Sequence, residues 1–294
     1  MVCALMQFAY RRFSMSCDLH CHSKISDGSL DVTEILALAR QSGLSAISIT
    51  DHDSVDGANT AVVAGKRFGI QVIHGIEMSA KDHSRNRKVH ILGYLCDHPE
   101  QLQKACDEML HNRRIAAEEM QIKVMQHYPI TFDLISRCAS GSSTIYKQHI
   151  MHALVEAGYS EKFFGDTFRE LFSSHGGTAY VSIEYPDVRH VINLIHSAGG
   201  IAVLAHPYTY DSIDLMHELV SENILDGVEV WHPSNDEHRV SFLSEFADLH
   251  HLVKTGGTDF HGMYTDTPHP IGYRTAPDTV IQQLYEAKNK RFKK

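Results

Sequence analysis

Short β-branched runs alternate with amphipathic helical patterns along this chain, and nearly every run ends in a side chain able to bind a metal. Cys17–His22 reads as a strand, followed by a helix over Asp31–Gln41 with Asp31 as N-cap, Glu34 three residues on and Gly43 as its stop. The strand Ser45–Thr50, the helix Ala58–Phe68 ending at Gly69, and the strands Ile70–Glu77 and Val89–Leu95 follow. From Pro99 to Phe172 strand signals thin out and long helical patterns replace them, as in Leu102–His127 and Tyr146–Ala157. The rhythm then resumes with helix Val188–Ala198, strand Ile201–Ala205, helix Leu215–Asn223, strand Gly227–Trp231, helix Glu237–His250, strand His251–Thr255 and helix Thr279–Asn289. Such alternation predicts an α/β fold around a mostly parallel sheet, open or closed into a barrel. The expected organisation is an N-terminal extension at 1–15, an α/β part at 16–98, an inserted helical domain at 99–172, and a second α/β part at 173–294.

A chain of 294 residues is long enough for one large α/β domain with a smaller insertion. The net charge of -9, with no run of Lys and Arg, argues against long duplex nucleic acid as a partner. Six cysteines without a C-x-x-C pair read as reduced thiols of a cytoplasmic protein. No stretch is apolar enough to span a membrane. Arg11 and Arg12 follow the mildly apolar start instead of preceding it, which argues against a signal peptide. No obligate protein partner is evident.

The metal-capable side chains fall where parallel strands finish: His20 and His22, then Asp51-His52-Asp53, Glu77, His90, His206, His232, and Asp259-Phe260-His261. Active sites of α/β sheets and barrels form at the carboxyl ends of strands, so residues scattered in sequence converge there. Side-chain parity puts Asp18, His20 and His22 on one face, opposite Cys17, Leu19 and Cys21. That split, with the spacing, argues against a zinc knuckle built from Cys17, His20, Cys21 and His22. Mixed imidazole and carboxylate ligands suit Mn, Zn or Fe without choosing among them.

As a set these motifs carry a family likeness. Asp18-Leu19-His20-Cys21-His22 with Ser26-Asp27-Gly28 resembles the opening motif of the PHP (polymerase and histidinol phosphatase) family. Thr50-Asp51-His52-Asp53, Gly75-Ile76-Glu77-Met78-Ser79, His90-Ile91-Leu92-Gly93-Tyr94, Ala205-His206-Pro207 and Gly257-Thr258-Asp259-Phe260-His261 match its later motifs in order. The chain is most similar to the branch that holds 3′,5′-nucleotide bisphosphate phosphatases and 5′→3′ exoribonucleases of short RNA. The resemblance implies a distorted (β/α)7 barrel with three metal positions. His20, His22, Glu77 and Asp259 would hold the first metal, and Glu77, His90 and His206 the second. Asp27, His52 and His261 would hold the third. Relatives often carry Gly-Arg-Pro-His in the insertion, where this chain has Tyr146-Lys147-Gln148-His149. Lys147 keeps the charge without the bidentate fork.

The implied activity is hydrolysis of phosphate esters of small nucleotides or short 5′-phosphorylated RNA. Two or three divalent ions, Mn first and Zn or Fe otherwise, would ionise a water bridging them, with Glu77, His206 and Asp259 as the catalytic ligands. Lys147, His149, Arg113 and His232 are the expected substrate contacts. Arg114 reads equally as part of a solvated helix face, and Tyr146, Tyr180, Tyr208 and Tyr210 are candidate stacking platforms. A histidinol-phosphate-type phosphatase and an amidohydrolase-like C–N hydrolase are the alternatives.

Overall fold

Glycines and capping residues divide the chain into its elements, and the computed structural model describes residues 16–293. β1 (Ser16–Cys21) is followed by α1 (Val32–Gln41), β2 (Ala46–Ile49), α2 (Asp56–Phe68) and β3 (Gln71–Val72). The Glu34 carboxylate accepts the Asp31 N–H at 2.8 Å, the return half of the predicted capping box. Gly69, at φ 62°, is the left-handed residue that ends α2. The extension at 1–15 lies outside the described residues.

Next come β4 (Gly75–Asp82) and β5 (Arg87–Tyr94), then a wholly helical stretch: α3 (Gln103–His127), α4 (Phe132–Cys138), α5 (Lys147–Glu156) and α6 (Asp166–Phe172). α4 and α6, seven residues each, are too short for a periodic signal. They form because an apolar cluster of Met120, Val124, Ile135, Ile150, Leu154, Leu171 and Phe172 is buried between these helices. The backbone of Ala179 returns to α6, its N–H bonding the Leu171 carbonyl at 2.8 Å. α7 (Val188–Ser197), β6 (Ile201–Leu204), α8 (Ile213–Ser221), β7 (Gly227–Trp231), α9 (Glu237–Leu249), β8 (Val253–Gly256), β9 (Ala276–Pro277) and α10 (Thr279–Phe292) complete the chain.

The strands make two sheets, ordered β3-β2-β1-β9 and β4-β5-β6-β7-β8. β1–β2, β2–β3, β6–β7 and β7–β8 are parallel. β4–β5, β5–β6 and β1–β9 are antiparallel. The β4–β5 connection is too short for a crossover, and only an antiparallel pair can be joined by so tight a turn.

One expected strand is divided. Ile70–Glu77 splits into β3 and β4, which belong to different sheets, and Glu77 sits in mid-strand, opposite Leu92. Gly75 permits the passage, since a Cβ there would meet Ser48 Oγ at 2.3 Å. Single bridges, His52 to Glu77 and Cys21 to Phe260, join the sheets at both margins. The architecture is mixed α/β.

Candidate metal centre

Glu77 lies at the meeting point of the two sheets and is 1% exposed. Its two carboxylate oxygens face different partners. Oε2 is 3.3 Å from His20 Nε2, 3.2 Å from His22 Nε2 and 3.0 Å from His52 Nδ1. Oε1 is 2.9 Å from His90 Nδ1 and 3.0 Å from His206 Nε2.

Asp259 Oδ1 completes one group, 3.3 Å from His20 Nε2 and 3.1 Å from His22 Nε2. Ligands about 2.1 Å from a tetrahedral ion lie about 3.4 Å from one another, so these separations fit four donors around one cation. A third group gathers on Asp27: His261 Nε2 at 3.2 Å, His22 Nδ1 at 3.7 Å and His52 Nε2 at 3.8 Å. Thus His22 faces two groups, one through each ring nitrogen, which the spacing in sequence did not suggest.

Four of the donors aim past their neighbours. His52 Nδ1, His90 Nδ1, His22 Nδ1 and Asp259 Oδ1 are buried without a hydrogen-bond partner. His52 and His90 nevertheless approach Glu77 within 3.0 Å. Buried polar atoms that crowd without bonding are costly unless something else satisfies them. Bound metal would do so, and the residues present fit it.

Electrostatics points the same way. Burial holds His52 well below the ordinary imidazole value, and lowers His90 too, leaving neutral rings with free lone pairs. Burial opposes the ionised forms of Glu77 and Asp259, but the surrounding imidazoles outweigh it and hold both well below the usual carboxylate range. Burial likewise opposes a charged His22, yet Asp259 and Glu77 push it up to about 10. At His22 a cation would therefore compete with a proton.

Other buried carboxylates build the frame. Asp18 turns away from the centre: it accepts the Thr258 N–H at 2.9 Å and the Gly272 N–H at 2.9 Å, tying β1 to the segment that carries Asp259. Asp51 accepts Ser23 N–H, Ser23 Oγ–H and Ser26 Oγ–H, each at 2.7 Å, shaping the loop that presents Asp27. His206 (φ 25°) and Asp259 (φ 51°) both occupy the left-handed region, a local cost that cross-strand contacts hold in place. Glu229, in the middle of β7, is fully buried 2.9 Å from His20 Nδ1, and its other oxygen accepts the His206 N–H at 2.9 Å. It was not among the expected site residues, although a carboxylate within the apolar run Gly227–Trp231 is itself a signal.

The expected substrate contacts separate. A cavity of about 820 Å³ opens over Asp27, Glu77, His90 and Asp259, and Lys88, Arg113 and Lys147 also line it. Lys147 Nζ lies over the rings of Phe172 (5.6 Å) and Tyr180 (5.3 Å). Arg113 is clamped by Asp53 Oδ2 at 3.1 Å and stacks over Tyr146. His232 Nε2 is 3.2 Å from Asp259 Oδ2 and its Nδ1 is 2.7 Å from Ser234 Oγ, so it braces a carboxylate of the cluster. His149 is buried, and its Nδ1 accepts the Tyr146 N–H at 3.1 Å, so it holds the start of α5 and is absent from the cavity lining. Arg114 is exposed. Gln148, unforeseen, donates to Asp27 Oδ2 at 2.9 Å.

The PHP domain model matches residues 18–214. The chain belongs to the PHP domain family. Among PHP relatives, the phosphoribosyl 1,2-cyclic phosphate 1,2-diphosphodiesterase of Eggerthella lenta is 37% identical over 87% of this chain and 98% of its own. The 5′-3′ exoribonuclease of Haemophilus influenzae is 30% identical over 83% of this chain and 89% of its own. A candidate metal-dependent phosphoesterase of Bifidobacterium adolescentis superposes with a TM-score of 0.84 at 29% identity, over 93% of this chain and 96% of that one. This PHP protein is a metal-dependent phosphoesterase, a hydrolase of phosphoric esters. Among the described residues no helix is long and apolar enough to cross a membrane.

Proposed function

We propose that the enzyme hydrolyses a small ribose phosphate that carries a second phosphate, with a phosphoribosyl cyclic phosphodiester as the first candidate. The observation that carries this reading is the pairing, within one cavity, of the carboxylate–imidazole cluster with Lys88, Arg113 and Lys147. A phosphate ester at the cluster leaves a second anionic group within the field of those cations. A cavity of about 820 Å³ suits a nucleotide-sized ligand. The Eggerthella relative's name describes a ribose bearing two phosphate groups, and it shows the higher identity of the two relatives. Short 5′-phosphorylated RNA and 3′,5′-bisphosphonucleotides share that chemistry and are the second reading, favoured by the exoribonuclease relative.

In this reading His20, His22, Glu77 and Asp259 hold a first cation, Glu77, His90 and His206 a second, and Asp27, His52 and His261 a third, with Mn the first choice. Divalent cations, when bound, polarise the phosphoryl oxygens and acidify water. The chain's own part is to orient and exclude. Glu77 presents one oxygen to each of two groups, His232 and Gln148 hold Asp259 and Asp27, and Lys147 draws in the distal phosphate. The single bridges between the sheets support closure toward a distorted barrel. The separate apolar cluster of α3–α6 supports an inserted domain at 99–172 that faces substrate through Lys147.

The test is a substrate panel with Mn present: phosphoribosyl 1,2-cyclic phosphate, 3′,5′-bisphosphonucleotides, 5′-phosphorylated di- to pentanucleotides, and histidinol phosphate. The cyclic diester should give the highest kcat/KM. Preference for histidinol phosphate, which lacks a second phosphate, would refute the reading.

A further inference from the structure

Away from the catalytic cluster, three side chains of different chemistry meet at the junction of α4 and α5. Cys138 is the last residue of α4 and Glu156 the last of α5, while His152 lies one turn before Glu156 on the same face. Cys138 Sγ is 3.4 Å from Glu156 Oε2, and one donor atom from each of the three lies within 4.8 Å of the others. His152 and Cys138 are half-buried and Glu156 is exposed, so solvent reaches the group. The His152 ring is already oriented, with Nδ1 2.9 Å from the Tyr264 hydroxyl.

We infer that Cys138, His152 and Glu156 form a second, separate binding site for a thiophilic divalent cation of the zinc class. One thiolate and one carboxylate balance the cation's two charges, and the neutral imidazole supplies a borderline nitrogen. Three protein ligands leave a fourth position for water. Arg137, 3.6 Å from the other Glu156 oxygen, keeps that carboxylate beside Cys138. The Tyr264 contact to His152 is the outer hydrogen bond that metal-binding imidazoles ordinarily have. Without a cation the thiol stays protonated, because burial and the Glu156 carboxylate push it up to about 12. Binding therefore expels the thiol proton to solvent, and affinity rises with pH.

The site bears on the catalytic cavity through Tyr264. That hydroxyl also donates to the Cys138 carbonyl at 3.3 Å, and Tyr264 lines the cavity. An ion here would lock α4 to α5 and fix that part of the wall. The inference is independent of the substrate reading, since it is tested without substrate.

The experiment uses Co²⁺ as probe on the full chain preloaded with Mn. The catalytic donors are all nitrogen and oxygen, so a sulfur-to-cobalt charge-transfer band in the near ultraviolet that depends on Cys138 reports this site. One equivalent of Co²⁺ should produce the band, and Zn²⁺ should remove it by displacement. Cys138→Ser should abolish the band, and Glu156→Gln, at an exposed position that leaves the fold intact, should weaken Co²⁺ binding roughly tenfold or more. Absence of the band in the parent protein, or its survival in Cys138→Ser, would overturn the inference.

Discussion

Glu229 and His20 form a fully buried pair, the carboxylate oxygen 2.9 Å from the imidazole Nδ1. A carboxylate accepts at that distance, so Nδ1 donates to Glu229 and Nε2 is the nitrogen turned toward the group containing Glu77 and Asp259. The other Glu229 oxygen holds the main chain of His206, so one residue of β7 sets two candidate ligands. Glu229→Gln keeps the shape and removes the charge. Mn affinity should fall about 10- to 100-fold with KM little changed. An unaltered dissociation constant, measured by calorimetry, would show that the pair is only structural.

Glu77 should be indispensable. Chelation should abolish turnover and added Mn restore it. Glu77→Ala should lose bound metal and activity together, because both oxygens face imidazoles. Metal analysis alongside rate measurement checks this, and full turnover in the variant would end the bridging role.

The metal-free centre should make stability depend on pH. His22 is raised from 6.5 to about 10 in the folded protein, against burial, by Asp259 and Glu77. A raised imidazole value means stability fully present below about pH 6.5 and lost as pH climbs through about 10. Chelated protein should therefore show a falling Tm across that window, whereas Mn-loaded protein should not, because the cation replaces the proton. Parallel melting curves for the two forms would contradict this.

Lys147 should act on binding more than on turnover. Lys147→Ala should raise KM by about 10- to 100-fold, the loss of one charge-assisted contact, and Lys147→Arg should retain most of the affinity. Burial, with Lys88 and Arg113 nearby, lowers the ammonium to about 8. Affinity should therefore fall as pH rises through that value, and the dependence should vanish in Lys147→Ala. A KM indifferent to the substitution would remove Lys147 from the site.

Arg113 should be mainly structural. It is 9% exposed and held by Asp53, which also accepts the Ser79 N–H at 2.8 Å. Arg113→Ala would strand a buried carboxylate at a cost of about 3–5 kcal/mol. Denaturant unfolding should show that loss. A variant of undiminished stability but poor KM would return Arg113 to the role of substrate contact.

What the amino-acid order by itself determined was chemical identity and rhythm. His20, His22, Asp27, Glu77, His90, His206, Asp259 and His261 are recognisable because donor types and local spacing are properties of neighbouring residues. The starts and stops at Asp31, Gly43 and Gly69 are equally local. Tertiary structure alone decided which donor faces which. It divided Ile70–Glu77 between two sheets, aimed Asp18 at Thr258, and paired Glu229 with a histidine 209 residues away. Those outcomes depend on sheet pairing and burial, which sum contacts between distant segments, and no periodicity in the chain records them.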